Sequence, residues 1–568
     1  MFFTTQLLEL GIPVVIALNK SDVAKKKGNE INVKLLSEEL KCPVIETVSV
    51  SSRNNGLKGL ISTAIEAYGK KQEFSFNGLA IDISDINQVE ASDIERFEFV
   101  KKIVRKVESR KISSNVQTTQ DSADRILAHK WLGIPMFAAV MWVVYSISLV
   151  HIGPLLADLL VGWIDAFNGL VEDFLGEGVS PVLSSLLLEG IIGGVGAVLG
   201  FLPLIMILFF LLALLEDCGY MARAAVVMDR FLKRVGLTGR TIIPMIMGTG
   251  CAIPGIMSTR TIKNVRQRRT TAMLTPFMPC GAKLPVIALF AGVFFSNAAW
   301  VGTLMYFIGI LLIVIGALIV VRVAGEKDAK SFFIIELPEY KLPSIKRAAI
   351  EMMSRAKAFI VKAGTIILFS NTVVQMMQTF DWKLQIVSEV DQNTSILASI
   401  SSPLSLLLIP LGFGAWQLAA AAVTGFIAKE NVVGTLAVVY GIKNFIDTEE
   451  LVLIGGETNI AGVLGLTSVA ALSYLMFNLY TPPCFAAIGA MNAEMESKKW
   501  LLGAILLQLA TGYVVAFIVY QFGTLITTGD IGDGFWQGLI AVSAIIGVVV
   551  YLMMKGNKKA HKNLKLEV

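Results

Sequence analysis

The chain has 568 residues, of which 54% are hydrophobic and only 16% charged, with a formal net charge of +5 and a mean hydropathy of +0.67. That composition excludes a wholly soluble or disordered protein, and a net charge this small gives no footprint for nucleic acid, so no nucleic-acid partner is expected. Five scattered cysteines (Cys42, Cys218, Cys251, Cys280 and Cys484) form neither a CxxC pair nor a disulfide framework.

Residues 1–70 read as soluble α/β. Gln6 to Leu10 looks like the end of a helix, and Pro13 to Leu18 reads as a buried parallel strand running into Asn19-Lys20-Ser21-Asp22. A helix over Val33 to Leu40, a second strand over Val44 to Val48 and a helix opening at Gly56 follow. NKxD after a buried strand, with a second strand ending at Ser49-Val50-Ser51, resembles the guanine-specificity end of a small GTPase domain. The resemblance implies that Asp22 accepts two hydrogen bonds from guanine, that Asn19 braces the loop, that the Lys20 stem lies on the base, and that the Ser49–Ser51 segment offers a backbone N–H. A surface turn between strand and helix is the plain alternative. No GxxxxGK[ST] phosphate loop occurs in the sequence, so nothing cradles the β- and γ-phosphates. The chain therefore reads as truncated at its N-terminus, and whether it acts as an enzyme on GTP stays open.

Residues 71–130 read as a helical spacer, with an apolar stripe at Phe97, Val100, Val104 and Val107 and an interfacial anchor at His129-Lys130-Trp131. Nine apolar stretches follow, over 133–153, 186–214, 270–296, 298–322, 359–378, 403–425, 461–492, 499–526 and 536–554, each near the length of about 20 residues that a spanning helix needs. Residues 154–185 hold Asp158, Asp165, Glu172, Asp173 and Glu177 without Lys or Arg and are expected outside. The basic run Arg260 to Arg269, Lys341 to Lys362 and the tail from Lys555 are expected in the cytoplasm. Both termini inside requires an even number of crossings, so eight are favoured, with 461–492 as the suspected re-entrant stretch.

Within this region a pattern occurs twice. Gly219-Tyr220-Met221-Ala222-Arg223 matches Gly425-Phe426-Ile427-Ala428-Lys429 in residue type, and each copy runs on to a Pro-Cys pair, Pro279-Cys280 and Pro483-Cys484. Proline at membrane depth breaks a helix, and such breaks survive only where they line a protein cavity or water. A thiol at the break offers a ligand to a borderline-soft cation, with freed carbonyls beside it. The same cysteine also suits plain packing beside a kink. Met278, Glu216, Asp217 and Cys251 are second candidates; Glu216-Asp217 reads equally as an interfacial pair with Arg223, and Lys429-Glu430 as a salt bridge between packed helices. Cys42 and Cys218 read as structural.

The segments Leu215 to Ala225, Gly250-Cys251-Ala252-Ile253-Pro254, Pro276 to Pro285, Glu336 to Tyr340 and Gly425 to Glu430 together make the chain resemble the bacterial ferrous iron transport protein B family over nearly its whole length. The resemblance implies a polytopic α-helical membrane protein with duplicated gate repeats, preceded by a partial α/β GTPase-like domain and a helical spacer. The expected boundaries are 1–70, 71–130, 131–322 with the first gate repeat, 323–358 as a cytoplasmic connector, 359–555 with the second repeat, and a basic tail over 556–568. It implies Fe(II) as cargo passing Cys280 and Cys484, GTP as cofactor, and a place in the bacterial inner membrane with both termini cytoplasmic. Besides the lipid bilayer, small cytoplasmic proteins and further copies of the chain are the implied partners. A nucleoside or other small-solute carrier is the rival reading within transport. A membrane-anchored guanine-nucleotide-binding regulator is the rival of another class, disfavoured because one helix suffices to anchor.

Overall fold

The computed structural model describes residues 1–26, 29–48, 56–70, 86–110, 124–125, 127–129, 132–175, 188, 192–233, 236–295, 299–324, 340–361, 365–383, 385, 387, 392–440, 446–447, 452–453, 462 and 464–564. Residues 1–118 and 119–568 form two compact units.

In the first unit α1 (Phe2–Glu9) leads into β1 (Ile16–Asn19), α2 (Ser21–Lys26), β2 (Asn29–Ile31), α3 (Val33–Leu40), β3 (Val44–Thr47) and α4 (Leu57–Ala67). β1 and β3 pair in parallel, Ile16 opposite Val44 and Asn19 opposite Thr47. Asn32 caps α3 by accepting from Leu35 N at 3.1 Å. Gly56 turns at φ +72° with its backbone against Glu46 O, where a Cβ would stand 2.2 Å away, so only glycine fits. The long α5 (Ile86–Val107), followed by β4 (Glu108–Arg110) antiparallel to β2, belongs to this unit. Its buried face is Ser92, Arg96, Ile103 and Val107, with Phe99 packed beside them, while Phe97 is exposed. Of the expected stripe Val107 is buried and Val100 and Val104 half-buried, and only Phe97 turns outward; the ion pair of Arg96 with Glu9, at 2.8 Å, keeps the neighbouring row inward. Cys42 lies in this core, where burial pushes its thiol up to about 11.

The second unit is helical. α6 (Gly133–Tyr145) continues through a π-helical turn, Ser146–His151, into α7 (Ile152–Leu175). Residues 133–175 form one 43-residue helix, about 65 Å long at 1.5 Å per residue and so longer than the bilayer core is thick. Of the acidic residues expected outside, Asp158, Asp165, Glu172 and Asp173 lie exposed on α7, and Glu177 lies outside the described residues. α8 (Gly193–Asp217) and α9 (Tyr220–Leu232) meet at Gly219, which has φ +85°. Then come α10 (Ile242–Gly250), α11 (Ala252–Ser258), α12 (Val265–Leu274), α13 (Leu284–Phe294) and α14 (Ala299–Ala324). A second series follows: α15 (Ile345–Phe359), α16 (Thr365–Thr379), α17 (Ile396–Leu408), α18 (Trp416–Ile427), α19 (Asn431–Val439), α20 (Ser468–Tyr480), α21 (Phe485–Met495), α22 (Lys498–Thr528) and α23 (Phe535–Leu564).

Among the described residues five helices are long and apolar enough to span a membrane: 133–175, 265–294, 300–323, 498–528 and 535–556. Two further apolar pairs are bent, 202–217 with 220–229 by 80° and 396–411 with 416–427 by 102°. The stretch 403–425 is therefore a bent pair and not a straight crossing, because Pro410 and the left-handed Gly412 (φ +88°) turn the chain there. Exposed Trp142, Trp300, Phe307, Ile540 and Val548 on the spanning helices suit lipid contact.

α10 and α11 fold back on each other as a helical hairpin, and so do α18 and α19. In the first hairpin Gly255 is the contact point: a Cβ there would meet Pro244 O at 2.7 Å and Gly248 N at 2.8 Å. The neighbouring atoms are backbone and cannot swing away. Gly255→Ala is expected to cost about 1–3 kcal/mol as overpacking, read as a lower midpoint of thermal unfolding in detergent; an unchanged midpoint contradicts this packing.

Candidate functional site

The hairpins and two broken helices build the centre. α12 ends in a tight turn at Thr275–Phe277, the chain runs extended through Met278, Pro279 and Cys280, and α13 starts after Lys283. α20 stops at Tyr480, Thr481 to Cys484 are extended, and α21 resumes at Phe485. Both breaks thus fall at the expected Pro-Cys motifs. A third break sits at Cys251, extended at φ −151° and ψ 133° between α10 and α11. A fourth sits at Ala428, extended at φ −147° and ψ 130° between α18 and α19.

Each hairpin tip lies against the break of its own repeat. A Cβ on Gly281 would stand 3.2 Å from Gly250 O. At the other tip Lys429 Nζ donates to Thr481 Oγ1 at 3.4 Å and lies 5.4 Å from the Phe426 ring centroid. Cys280 and Cys484 come within electrostatic reach of each other and of Cys251, Lys283 and Lys429, and Glu430 comes within reach of Cys251 and Cys484. Cys251 and Cys484 both pack on one apolar cluster that includes Ile253, Met273 and Met491. All three thiols are half-buried. Among the described residues no three His, Cys, Asp or Glu side chains already converge as a closed cation site.

The broken helices run in opposite directions. Arg260 pairs with Glu494, Arg268 with Glu496 at 3.2 Å, and Arg269 Nε donates to Met495 O at 2.7 Å. The start of α12 therefore lies beside the end of α21, which makes the repeats inverted. Their register differs from that of the two glycine motifs. Gly219 forms the bend before α9, whereas Gly425 lies inside α18 packed on Val432, so by element order the partner of the second hairpin tip is Gly250-Cys251.

Lys283 closes the centre, and sequence reasoning passed it over. Its side chain is 2% exposed, and Nζ donates to Pro276 O at 3.0 Å and Leu479 O at 2.5 Å, one carbonyl from each broken helix. The prolines explain why both carbonyls are available. Pro482 and Pro483 lack the N–H groups that would serve Leu479 O, and Pro279 removes a donor from Pro276 O. A lone lysine inside an apolar run was the available signal.

Comparison with known proteins places this architecture. Residues 1–64 match the family described as Ferrous iron transport protein B, 303–355 match its C terminus, and 198–294 with 360–498 match the gate family described as Nucleoside recognition. The Fe(2+) transporter FeoB of Staphylococcus aureus (strain MSSA476) is 34% identical, covering 92% of this chain and 86% of its own length. The chain belongs to the FeoB ferrous iron transporter family. The FeoB of Methanocaldococcus jannaschii is 33% identical over 89% of this chain and 71% of its own. A Porphyromonas gingivalis relative, named as a fusion of Fe(2+) transport protein A with FeoB, is 29% identical over 92% of this chain and 74% of its own. No solved structure matches.

Glu216 and Asp217 end α8 and tie it to α15: Asp217 accepts from Ser344 N at 2.8 Å and pairs with Arg347 at 3.4 Å, and Glu216 pairs with Arg355 at 3.4 Å. Among the described residues no ion pair joins Arg223 to either of them; it pairs with Asp124. No ion pair joins Lys429 to Glu430 among the described residues, since Lys429 turns to Thr481. Met278 packs partly buried against the main core, and Cys218 Sγ donates to Leu215 O at 3.2 Å, a structural role. In the first unit Asn19 ends β1, Lys20 is left-handed at φ 62°, and Asp22 lies in the first turn of α2, which aligns them on one strand-to-helix turn. Ser49, Val50 and Ser51 lie outside the described residues, as do Lys130 and Trp131.

Proposed function

We propose that the chain carries Fe(II) into the cytoplasm through the junction of its inverted repeats, with Cys280 and Cys484 as the sulfur donors met in transit and Cys251 beside them. The observation that carries this reading is the meeting of the three cysteine-bearing helix breaks between the two repeats. A borderline-soft divalent ion entering there exchanges part of its hydration for thiolate and carbonyl donors. An open ligand set suits a transported ion, which must also leave. Placement in the bacterial inner membrane, with the basic run Arg260–Arg269 and both termini cytoplasmic, is part of the proposal and rests on the lysine and arginine distribution. So is a small cytoplasmic partner protein, for which the fused Porphyromonas gingivalis relative is the support.

The test is uptake into proteoliposomes of labelled Fe(II) against a labelled nucleoside, since the gate family's description leaves a nucleoside carrier as the rival. Saturable iron uptake without nucleoside uptake supports the reading; the reverse result overturns it.

The NKxD turn is proposed to recognise guanine through Asn19, Lys20 and Asp22, completed by Ser49, Val50 and Ser51. The phosphate-loop motif does not occur in these 568 residues, so base contacts act alone. GDP is expected to bind more weakly than about 10 μM by calorimetry, and Asp22→Ala is expected to remove what binding there is. Micromolar or tighter binding contradicts this expectation.

A further inference from the structure

The C-terminal end of a helix carries roughly half a negative charge on its unpaired carbonyls. In transporters built from broken helices, such ends commonly coordinate a monovalent coupling cation. Here two such ends, one from each inverted repeat, converge through Pro276 O and Leu479 O. The position between them is filled by the Lys283 ammonium, carried on a stem that is itself buried. No carboxylate pairs with Lys283 among the described residues; its two hydrogen-bond acceptors are these carbonyls.

We propose that Lys283 is a tethered cation standing where a coupling Na+ or similar small cation would otherwise bind, so that cargo movement through this junction needs no monovalent co-substrate. One ammonium holds the two breaks in register from both sides. It thereby acts as a positioning residue for the cysteines without itself contacting the cargo.

The test removes the tether and supplies the cation from solution. Lys283→Ala is purified, and its unfolding midpoint is measured while NaCl, LiCl or methylammonium chloride replaces choline chloride at constant ionic strength. A saturable rise of about 2 °C or more is expected for at least one small cation, with no response in wild type or in Lys283→Arg, which keeps the charge. A variant that responds no more than wild type overturns the proposal. Should Lys283→Ala not accumulate as folded protein, Lys283→Ser is read in the same way; failure of both to fold in all of these cations also overturns it. Separately, wild-type iron uptake is expected to be unchanged when choline replaces Na+ and K+, and a requirement for either ion contradicts the proposal. The melting assay contains no iron, so its failure leaves the iron reading standing, and failure of the iron reading leaves the cation site standing.

Discussion

Serine in place of both Cys280 and Cys484 is expected to lower Fe(II) uptake into proteoliposomes by at least about tenfold, equivalent to about 1.4 kcal/mol or more of barrier. The substitution exchanges a soft, ionisable sulfur for a hard hydroxyl of nearly the same size. Both side chains are half-buried at extended breaks whose shape is set by the adjoining prolines and by Lys283. The fold is therefore expected to survive, with an unfolding midpoint close to wild type. Each single variant should be intermediate, and Cys251→Ser should add to the loss because the third break shares the junction. Cys218→Ser serves as the control, since its sulfur only bonds Leu215 O at the end of α8. Unchanged flux in the Cys280→Ser, Cys484→Ser double variant would leave both residues as packing beside a kink.

Arg223→Ala is expected to cause a large loss of stability, about 2–3 kcal/mol, because it removes charge-assisted hydrogen bonds to a carboxylate that is itself only partly exposed. Arg223 is 1% exposed; it donates to Asp124 through Nε at 2.6 Å and Nη2 at 3.3 Å, and to Gly219 O through Nη1 at 2.9 Å. Its guanidinium lies 3.6 Å from the ring centroid of Tyr340, whose hydroxyl also donates to Asp124 at 2.8 Å. Arg223→Lys keeps a charge but loses the planar fork and the stacking, so it should recover only part of the loss. Burial alone would raise the Asp124 carboxyl, but hydrogen bonds from Arg223 and Tyr340 outweigh it and hold it below the usual carboxylate range. The depressed folded value fixes the sign. The pair's contribution is fully present above the unfolded carboxylate value of about 3.9 and fades as pH falls through the lower folded value. The gap in unfolding midpoint between wild type and Arg223→Ala should therefore be widest near neutral pH and narrow below about pH 4. A gap independent of pH would contradict the assigned ion pair.

Local patterns in the first unit were legible because short-range chemistry decides them. A helix over Val33 to Leu40 and a strand from Val44 follow from helical periodicity and from an apolar run between polar turns. The two Pro-Cys breaks were legible for the same reason, since proline's missing donor acts whatever surrounds it. Gly250 and Pro254 beside Cys251 mark a break there in the sequence, but that the flanking helices fold back as a hairpin shows only once Gly255 packs on Pro244 and Gly248. The repeat register was misread because Gly219 to Arg223 and Gly425 to Lys429 share residue types while one motif opens a helix and the other closes a hairpin arm. The acidic stretch could have been read as helix, since Asp158, Asp165 and Glu172 recur every seven residues, and that spacing returns to one face. Lys283 is the instructive omission: a charge in an apolar run marks a site, but its partners, 7 and 196 residues away, exist only in the fold.

The claim on which the account turns is that sulfurs from opposite repeats meet one ion. Purified protein titrated with Co(II), a spectroscopic stand-in for Fe(II), tests it directly. A thiolate-to-cobalt charge-transfer band is predicted for wild type, weakened in Cys280→Ser and in Cys484→Ser and gone in the double variant. A band that persists in the double variant, or a wild-type protein that binds Co(II) with no such band, would contradict it.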